Sequence, residues 1–289
     1  MLVEAAPAKL NLSLAVTGRR SDGFHELVSV VVPLTLADTL TLSPGRPLGL
    51  TCDDATLPGD GTNLVLQAAA AYARRRPGAA TGHFHLAKRV PHGAGLGGGS
   101  SDAAAALRLL DRLSGDPLGP GGLIPLAAEV GSDCAFFVRG EAAVLRGRGE
   151  RVEALPPSVR VGLAGRRLVL IKPPFGIPTL EAYALLARRG VYRPAVQAEA
   201  ELAEWLRSPF ADPMAMGNDL AVPVFAKYLA LPVGLENFGR VAPVRWGMTG
   251  SGSTCFAFVG DGFNPADLRA EVLRAWGVGA WLAETLISG

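Results

Sequence analysis

Pro91-His-Gly-Ala-Gly-Leu-Gly-Gly-Gly-Ser-Ser101 is the segment on which the reading of this chain turns. Five of the seven residues from Gly93 to Gly99 are glycine, so the backbone can approach a ligand closely and aim several N–H groups at one point. Two hydroxyls follow, and then Asp102–Ser114, where Ala103, Ala106, Leu107, Leu110 and Leu113 recur at helical spacing. A helix N-terminus adds unpaired donors and a partial positive charge, and the combination suits a polyphosphate. A flexible linker would not run straight into Ser-Ser-Asp and a well-patterned helix.

Three kinds of phosphate loop can be separated by what surrounds the glycines. A P-loop needs Gly-Lys followed by Ser or Thr, and the chain holds no Gly-Lys pair. A protein kinase needs His-Arg-Asp and Asp-Phe-Gly, and both are missing. Gly93, Gly95 and Gly98 approximate a dinucleotide fingerprint, but the preceding His83–Val90 alternates polar and apolar residues instead of being apolar throughout. The acidic residue about 20 positions on would be Asp116, in a Gly/Pro loop.

Outward from the loop, Leu10, Leu12, Leu14 and Val16 alternate with Lys9, Asn11 and Ser13, the period of a half-buried strand. Val28–Leu36 and Thr39–Leu42 read as strands joined by a turn at Ala37-Asp38, and Asn63–Arg76 as a helix with Thr62 as its N-cap. Phe136–Val138, Ala142–Arg146 and Val152–Leu155 read as short strands. Ala154-Leu-Pro-Pro-Ser marks a boundary between residues 1–155 and 156–289. Beyond it come a strand at Leu168–Lys172, helices at Thr179–Arg189 and Glu199–Arg207, a strand–glycine turn–strand over Trp246–Val259, and a helix at Asn264–Trp276. Strands in runs and helices in runs predict an α+β fold in two lobes.

Composition excludes several classes. Among 289 residues, 49% are hydrophobic and 19% charged, an ordinary globular balance. A net charge of +2 offers no nucleic-acid footprint and no polybasic membrane surface. The longest apolar stretch, Leu27–Ala37, falls short of the roughly 20 residues that span a bilayer. Cys52, Cys134 and Cys255 are widely spaced and form no C-x-x-C pair, which suits a reducing, cytoplasmic setting, and Met1–Ala5 shows no signal-peptide pattern.

Pro91–Ser101 resembles the ATP loop of the GHMP kinases, the superfamily of galactokinase, homoserine kinase and mevalonate kinase. Pro7-Ala-Lys-Leu-Asn-Leu-Ser-Leu14, Gly18-Arg-x-Ser-Asp-Gly-Phe-His25 and Gly131-Ser-Asp-Cys-Ala-Phe-Phe-Val-Arg-Gly140 resemble the branch that phosphorylates 4-diphosphocytidyl-2-C-methyl-D-erythritol for isoprenoid biosynthesis. Met248-Thr-Gly-Ser-Gly252 is similar to the superfamily's third glycine motif. The resemblance implies an ATP-binding lobe and a substrate lobe around a central cleft, with ATP and Mg²⁺ as cofactors and a small substrate carrying a cytidine diphosphate moiety.

It also implies roles. Pro91, His92, Gly93, Ala94, Gly95, Leu96, Gly97, Gly98, Gly99, Ser100 and Ser101 would hold ATP. Lys9 would be a transition-state cation and Asp133 the general base, with Asn11 a substrate contact. Phe24 and Tyr183 would stack the cytosine while His25 reads its edge. Position 24 is Phe where the family commonly carries Tyr, which keeps the stacking face and removes a hydroxyl. Without the resemblance, Asp133 would read as a turn residue, Phe24 and Tyr183 as core aromatics, and the polar face of Lys9, Asn11 and Ser13 as solvated. Kinases of homoserine or mevalonate type, or a non-catalytic sensor on the same fold, are the alternatives. Asp22-Gly-Phe-His25 argues against the first, and retention of both Lys9 and Asp133 against the second.

Overall fold

The computed structural model describes residues 1–79 and 81–289. The chain opens with β1 (Leu2–Asn11), β2 (Ala15–Arg19), β3 (His25–Pro44), β4 (Gly49–Cys52), α1 (Leu64–Arg75) and β5 (Gly82–Ala87). It continues through α2 (Gly98–Leu113), α3 (Gly119–Val130), α4 (Cys134–Arg139), β6 (Ala143–Gly147), β7 (Arg151–Ala154) and α5 (Pro157–Leu163). The remainder is β8 (Arg167–Lys172), α6 (Thr179–Arg189), α7 (Ala195–Arg207), α8 (Ala221–Lys227), α9 (Ala230–Val241), β9 (Gly247–Met248), β10 (Cys255–Phe258), α10 (Pro265–Trp276) and β11 (Trp281–Leu286). These mixed, mostly antiparallel strands and separate helices make the α+β class that the order of elements predicts.

The chain divides into two compact units, each discontinuous in sequence. The first gathers Met1–Lys9, Thr35–His92 and Gly97–Glu141, the second Leu10–Leu34, Gly93–Leu96 and Ala142–Gly289. The Pro-Pro run lies inside the second, where Pro157 opens α5, a position at which its missing N–H costs nothing.

In the first unit the C-terminal half of β3 pairs antiparallel with β5, from Thr39↔Ala87 to Pro44↔Gly82, and β4 adds in parallel beyond β5. Leu40, Leu42, Phe84 and Leu86 are buried, as are Tyr72 of α1 and Leu107 and Leu110 of α2. α1 packs on α2 and α3, and α2 on α4. The Asp111 carboxylate on α2 accepts from Tyr72 Oη at 2.9 Å and from Leu118 N at 2.7 Å, anchoring the entry to α3. In the second unit the N-terminal half of β3 pairs with β2 and β6, and β7 follows β6. A separate antiparallel sheet has the order β11-β8-β10-β9, with Leu168–Ile171 at its buried centre.

Four local expectations change. Ala37-Asp38 is no turn, and β3 runs unbroken because Asp38 is a buried carboxylate that accepts from Lys88 Nζ and from the N–H groups of Arg89 and Val90. Residues 10–16 are not one half-buried strand. β1 ends at Asn11, and Lys9, Asn11 and Ser13 are as buried as the leucines between them. Phe136–Val138 is helical, following Asp133 and closed by Gly140, whose N–H donates to Phe136 O; a short apolar run carries no period that separates strand from helix. The N-cap of α1 is Asn63, whose side chain accepts from Val65 N; Thr62 instead donates to Asp60. Among the described residues no helix is long and apolar enough to cross a membrane.

Candidate active site

In the first unit one buried strand position and two helix starts bring candidate residues together. Lys9 lies near the end of β1, and its Nζ is 3.8 Å from Oδ2 of Asp133, the residue preceding α4. The lysine side chain is buried, at 8% exposure, whereas the carboxylate, at 37%, remains open to a ligand. Burial lowers the Lys9 pKa, and the neighbouring Asp133 charge works against that loss.

Gly97 connects this pair to the loop. It sits at φ +70 as the N-cap of α2, and a Cβ there would meet the Phe137 ring at 2.8 Å and Lys9 Cγ at 3.0 Å. Only a residue without a side chain lets the loop lie against the Lys9 stem. α2 starts at Gly98, four residues before the predicted Asp102, so Gly98–Ser100 contribute first-turn amides that the helix itself cannot use. Ser101 N donates to Gly97 O, while Ser101 Oγ is buried with no partner among the described residues. Cys134, beside Asp133, is pushed up to about 12 by burial, which keeps its thiol inert. Pro91 is half-buried, and exposed His92 approaches Thr56 Oγ1 at 3.5 Å.

Lys88, which lies in none of the motifs singled out in the sequence, is buried between Asp38 and Asp102, with Nζ at 2.5 and 2.9 Å. Burial opposes its charge, but Asp102 and Asp38 together raise its pKa. Burial likewise pushes the Asp102 carboxyl up to about 7, against the pull of Lys88.

The second unit holds further candidate residues. Gly93–Leu96 packs on the third glycine motif: Thr254 N donates to Ala94 O at 3.3 Å, and a Cβ on Gly95 would collide with Thr249 O at 2.5 Å. Asn218 Nδ2 shapes that motif by donating to Met248 O and Gly250 O, both at 2.8 Å. Asn11 donates its backbone N–H to Thr249 Oγ1 at 2.9 Å and its amide to Ser29 Oγ at 2.8 Å.

His25, at the start of β3, stacks on Tyr183 of α6 with centroids 4.8 Å apart and planes at 26°. Tyr192 tilts against the same imidazole at 5.8 Å, with Oη 3.4 Å from Nε2. Burial and Arg19 lower the His25 pKa, which keeps a neutral ring with one donor and one acceptor nitrogen. Phe24 is 47% exposed and lies under the Arg148 guanidinium at 4.9 Å, so it is no core aromatic. The structure therefore joins His25 and Tyr183 directly. Tyr192 and Asn218 escaped the sequence reading, since neither lies in a patterned motif.

Residues 63–141 match the N-terminal domain of the GHMP kinases. A 4-diphosphocytidyl-2-C-methyl-D-erythritol kinase of Methylobacterium radiotolerans is 39% identical over 99% of both chains. This chain belongs to that kinase family. A Synechococcus member bearing the same name is also 39% identical, over 97% of this chain and 96% of its own. The crystal structure of a 4-(cytidine 5'-diphospho)-2C-methyl-D-erythritol kinase superposes with TM-score 0.76 at 35% identity, covering both chains fully. A mevalonate kinase from L. major, at 13% identity and TM-score 0.66, shares the fold alone. As a member of this family the chain is a small-molecule kinase with ATP as co-substrate.

Proposed function

We propose that the protein transfers the γ-phosphoryl group of ATP to the 2-hydroxyl of 4-diphosphocytidyl-2-C-methyl-D-erythritol, in the cytosol. The observation that carries this reading is the Lys9–Asp133 pair at 3.8 Å, with Gly97 held against the Lys9 stem. Asp133 orients the acceptor alcohol and takes its proton, while Lys9 neutralises charge gathering on the transferred group. The first-turn amides Gly98–Ser100 bind phosphate oxygens at the positive end of α2. Ser101 Oγ, buried and without a partner among the described residues, has the free lone pairs to hold Mg²⁺ alongside the phosphates. When bound, that cation supplies further neutralisation of the phosphate charge. Among the described residues no group of three or more His, Cys, Asp or Glu is gathered for a metal.

Asn11 positions the acceptor, and Phe24, Tyr183 and His25 take its cytosine, the aromatics by stacking and the histidine by its neutral edge. The purified protein with ATP is expected to phosphorylate the cytidyl substrate in preference to homoserine and mevalonate, scored by ADP release and product mass. Preference for either competitor, or no turnover at all, refutes the assignment.

Replacing Phe24 or Tyr183 by Leu keeps apolar bulk and removes the flat face. Acceptor kcat/KM is expected to fall by about 1–3 kcal/mol, roughly 5- to 150-fold, with KM for ATP unmoved. Loss of melting temperature with both KM values shifting together would return these rings to a packing role. Phe24→Leu is the cleaner probe, because an exposed ring contributes little to the core.

Lys9 must be protonated to act, and burial lowers its pKa. The alkaline limb of kcat/KM is therefore expected below the ordinary lysine range, activity falling as pH rises through the folded value. Linkage has the opposite sign from that of a paired lysine. The unfolded chain holds this proton more tightly, so Lys9 costs stability below its folded pKa, and the cost fades as pH rises to the unfolded value. An alkaline limb at or above the normal lysine range would remove Lys9 from the reaction.

A further inference from the structure

Asp38, Lys88 and Asp102 form a buried chain of contacts that brackets the glycine loop from below. One oxygen of Asp38 accepts from Arg89 N at 2.6 Å and Val90 N at 2.8 Å, the amides just before Pro91. Its other oxygen takes Lys88 Nζ at 2.5 Å, and the same ammonium reaches Asp102 Oδ2 at 2.9 Å, in the helix that leaves the loop. A Cβ on Gly98 would stand 3.3 Å from that Nζ, so the ammonium lies directly beneath the first residue of α2. All three side chains are at most 7% exposed.

We propose that Lys88, held by Asp38 and Asp102, is a positioning residue that ties both ends of Pro91–Ser101 to strand β3 and so sets the geometry in which ATP phosphates bind. The proposal rests on the ATP-loop reading above. Charge and hydrogen bonding argue that the arrangement serves the loop instead of stability alone. Two carboxyl groups share one ammonium, one more acid than the cation balances when both are ionised, and Asp102 Oδ1 is buried with no partner among the described residues. A pair consisting only of Lys88 and Asp38 would be neutral and would bury one fewer unsatisfied oxygen. What Asp102 adds is the tie from the lysine to α2.

This gives a stability change and a binding change that separate. Asp102→Ala leaves the neutral Lys88–Asp38 pair, so its melting temperature is expected at or above the parent's. KM for ATP is nevertheless expected to rise about 10- to 100-fold, because the loop loses its far anchor and small misplacements are costly. KM for the acceptor is expected to stay put. Asp102→Asn restores an acceptor for Lys88 Nζ and is expected to recover most of the lost ATP affinity. Calorimetric titration of ATP into both variants checks the same point without turnover.

An Asp102→Ala enzyme with parental ATP affinity overturns the proposal. So does a parallel shift of both KM values with a lowered melting temperature, the signature of a plain structural pair, or a failure of Asn to rescue. Gly97→Val serves as the control on the loop reading itself. If it binds ATP normally, the loop reading has failed; if it loses ATP while Asp102→Ala does not, only the anchoring role has.

Discussion

Asp133→Asn is expected to lower kcat by about 10²–10⁴ while leaving ATP affinity close to the parent value. The substitution preserves shape and removes both the base and the charge. Its consequence extends to Lys9, since Asp133 is what offsets the desolvation of that buried ammonium. Without it the Lys9 pKa drops further, and part of the lost rate comes from a partly neutral lysine. The defect should therefore deepen as pH rises, more steeply than in the parent. Folding should survive, because the Asp133 side chain is 37% exposed and water can replace the lost contact. Steady-state kinetics across pH, with ATP titrated calorimetrically, decides the matter. Turnover within a few-fold of the parent would make Asp133 the turn residue that its Gly-Ser-Asp context allows.

Gly97→Val is expected to reduce ATP affinity by roughly two orders of magnitude, and the structure supplies reasons beyond close approach to phosphate. At φ +70 a β-branched residue is strained whatever the space. Its Cβ would also press on the Phe137 ring and on Lys9 Cγ, so relief by moving the loop displaces the helix start, and relief by moving the lysine displaces the proposed catalytic cation. The variant should accordingly lose kcat as well as nucleotide affinity, with a far-UV circular dichroism spectrum near the parent's. Gly97→Ala shares the φ penalty and the first contacts but lacks the branched methyls, and should fall between. Unchanged calorimetric affinity in the valine variant would dissociate Pro91–Ser101 from ATP.

Several elements were legible because their signal is contiguous. The amphipathic helix after Ser101, the α6 span Thr179–Arg189, and the strand–glycine turn–strand near the C-terminus all follow from short-range periodicity and glycine placement. Errors arose where a local residue type has two uses. Asp38 after Ala37 reads as a turn because Asp favours turns, but a lysine 50 residues away makes it a buried acceptor and the strand continues. The alternation at Lys9, Asn11 and Ser13 is real, but their face is not solvent-facing. Asn11 and Ser13 are buried against Ser29 and Val30, and Lys9 faces Asp133.

By itself the sequence singled out Pro91–Ser101 as the candidate phosphate-binding element. Consecutive glycines, two serines and a helix form one uninterrupted stretch, and backbone conformation and helix polarity are local properties. It likewise nominated Lys9 and Asp133 as candidates through the motifs around them. Only the tertiary structure decided which groups meet: Lys9 with Asp133, His25 with Tyr183 and Tyr192, and Asp102 tied through Lys88 to Asp38. Each of these depends on side chains far apart along the chain and on the desolvation that packing imposes. A pKa, a stacked ring pair or a buried ammonium is a property of surroundings, and those surroundings exist only once the chain is folded.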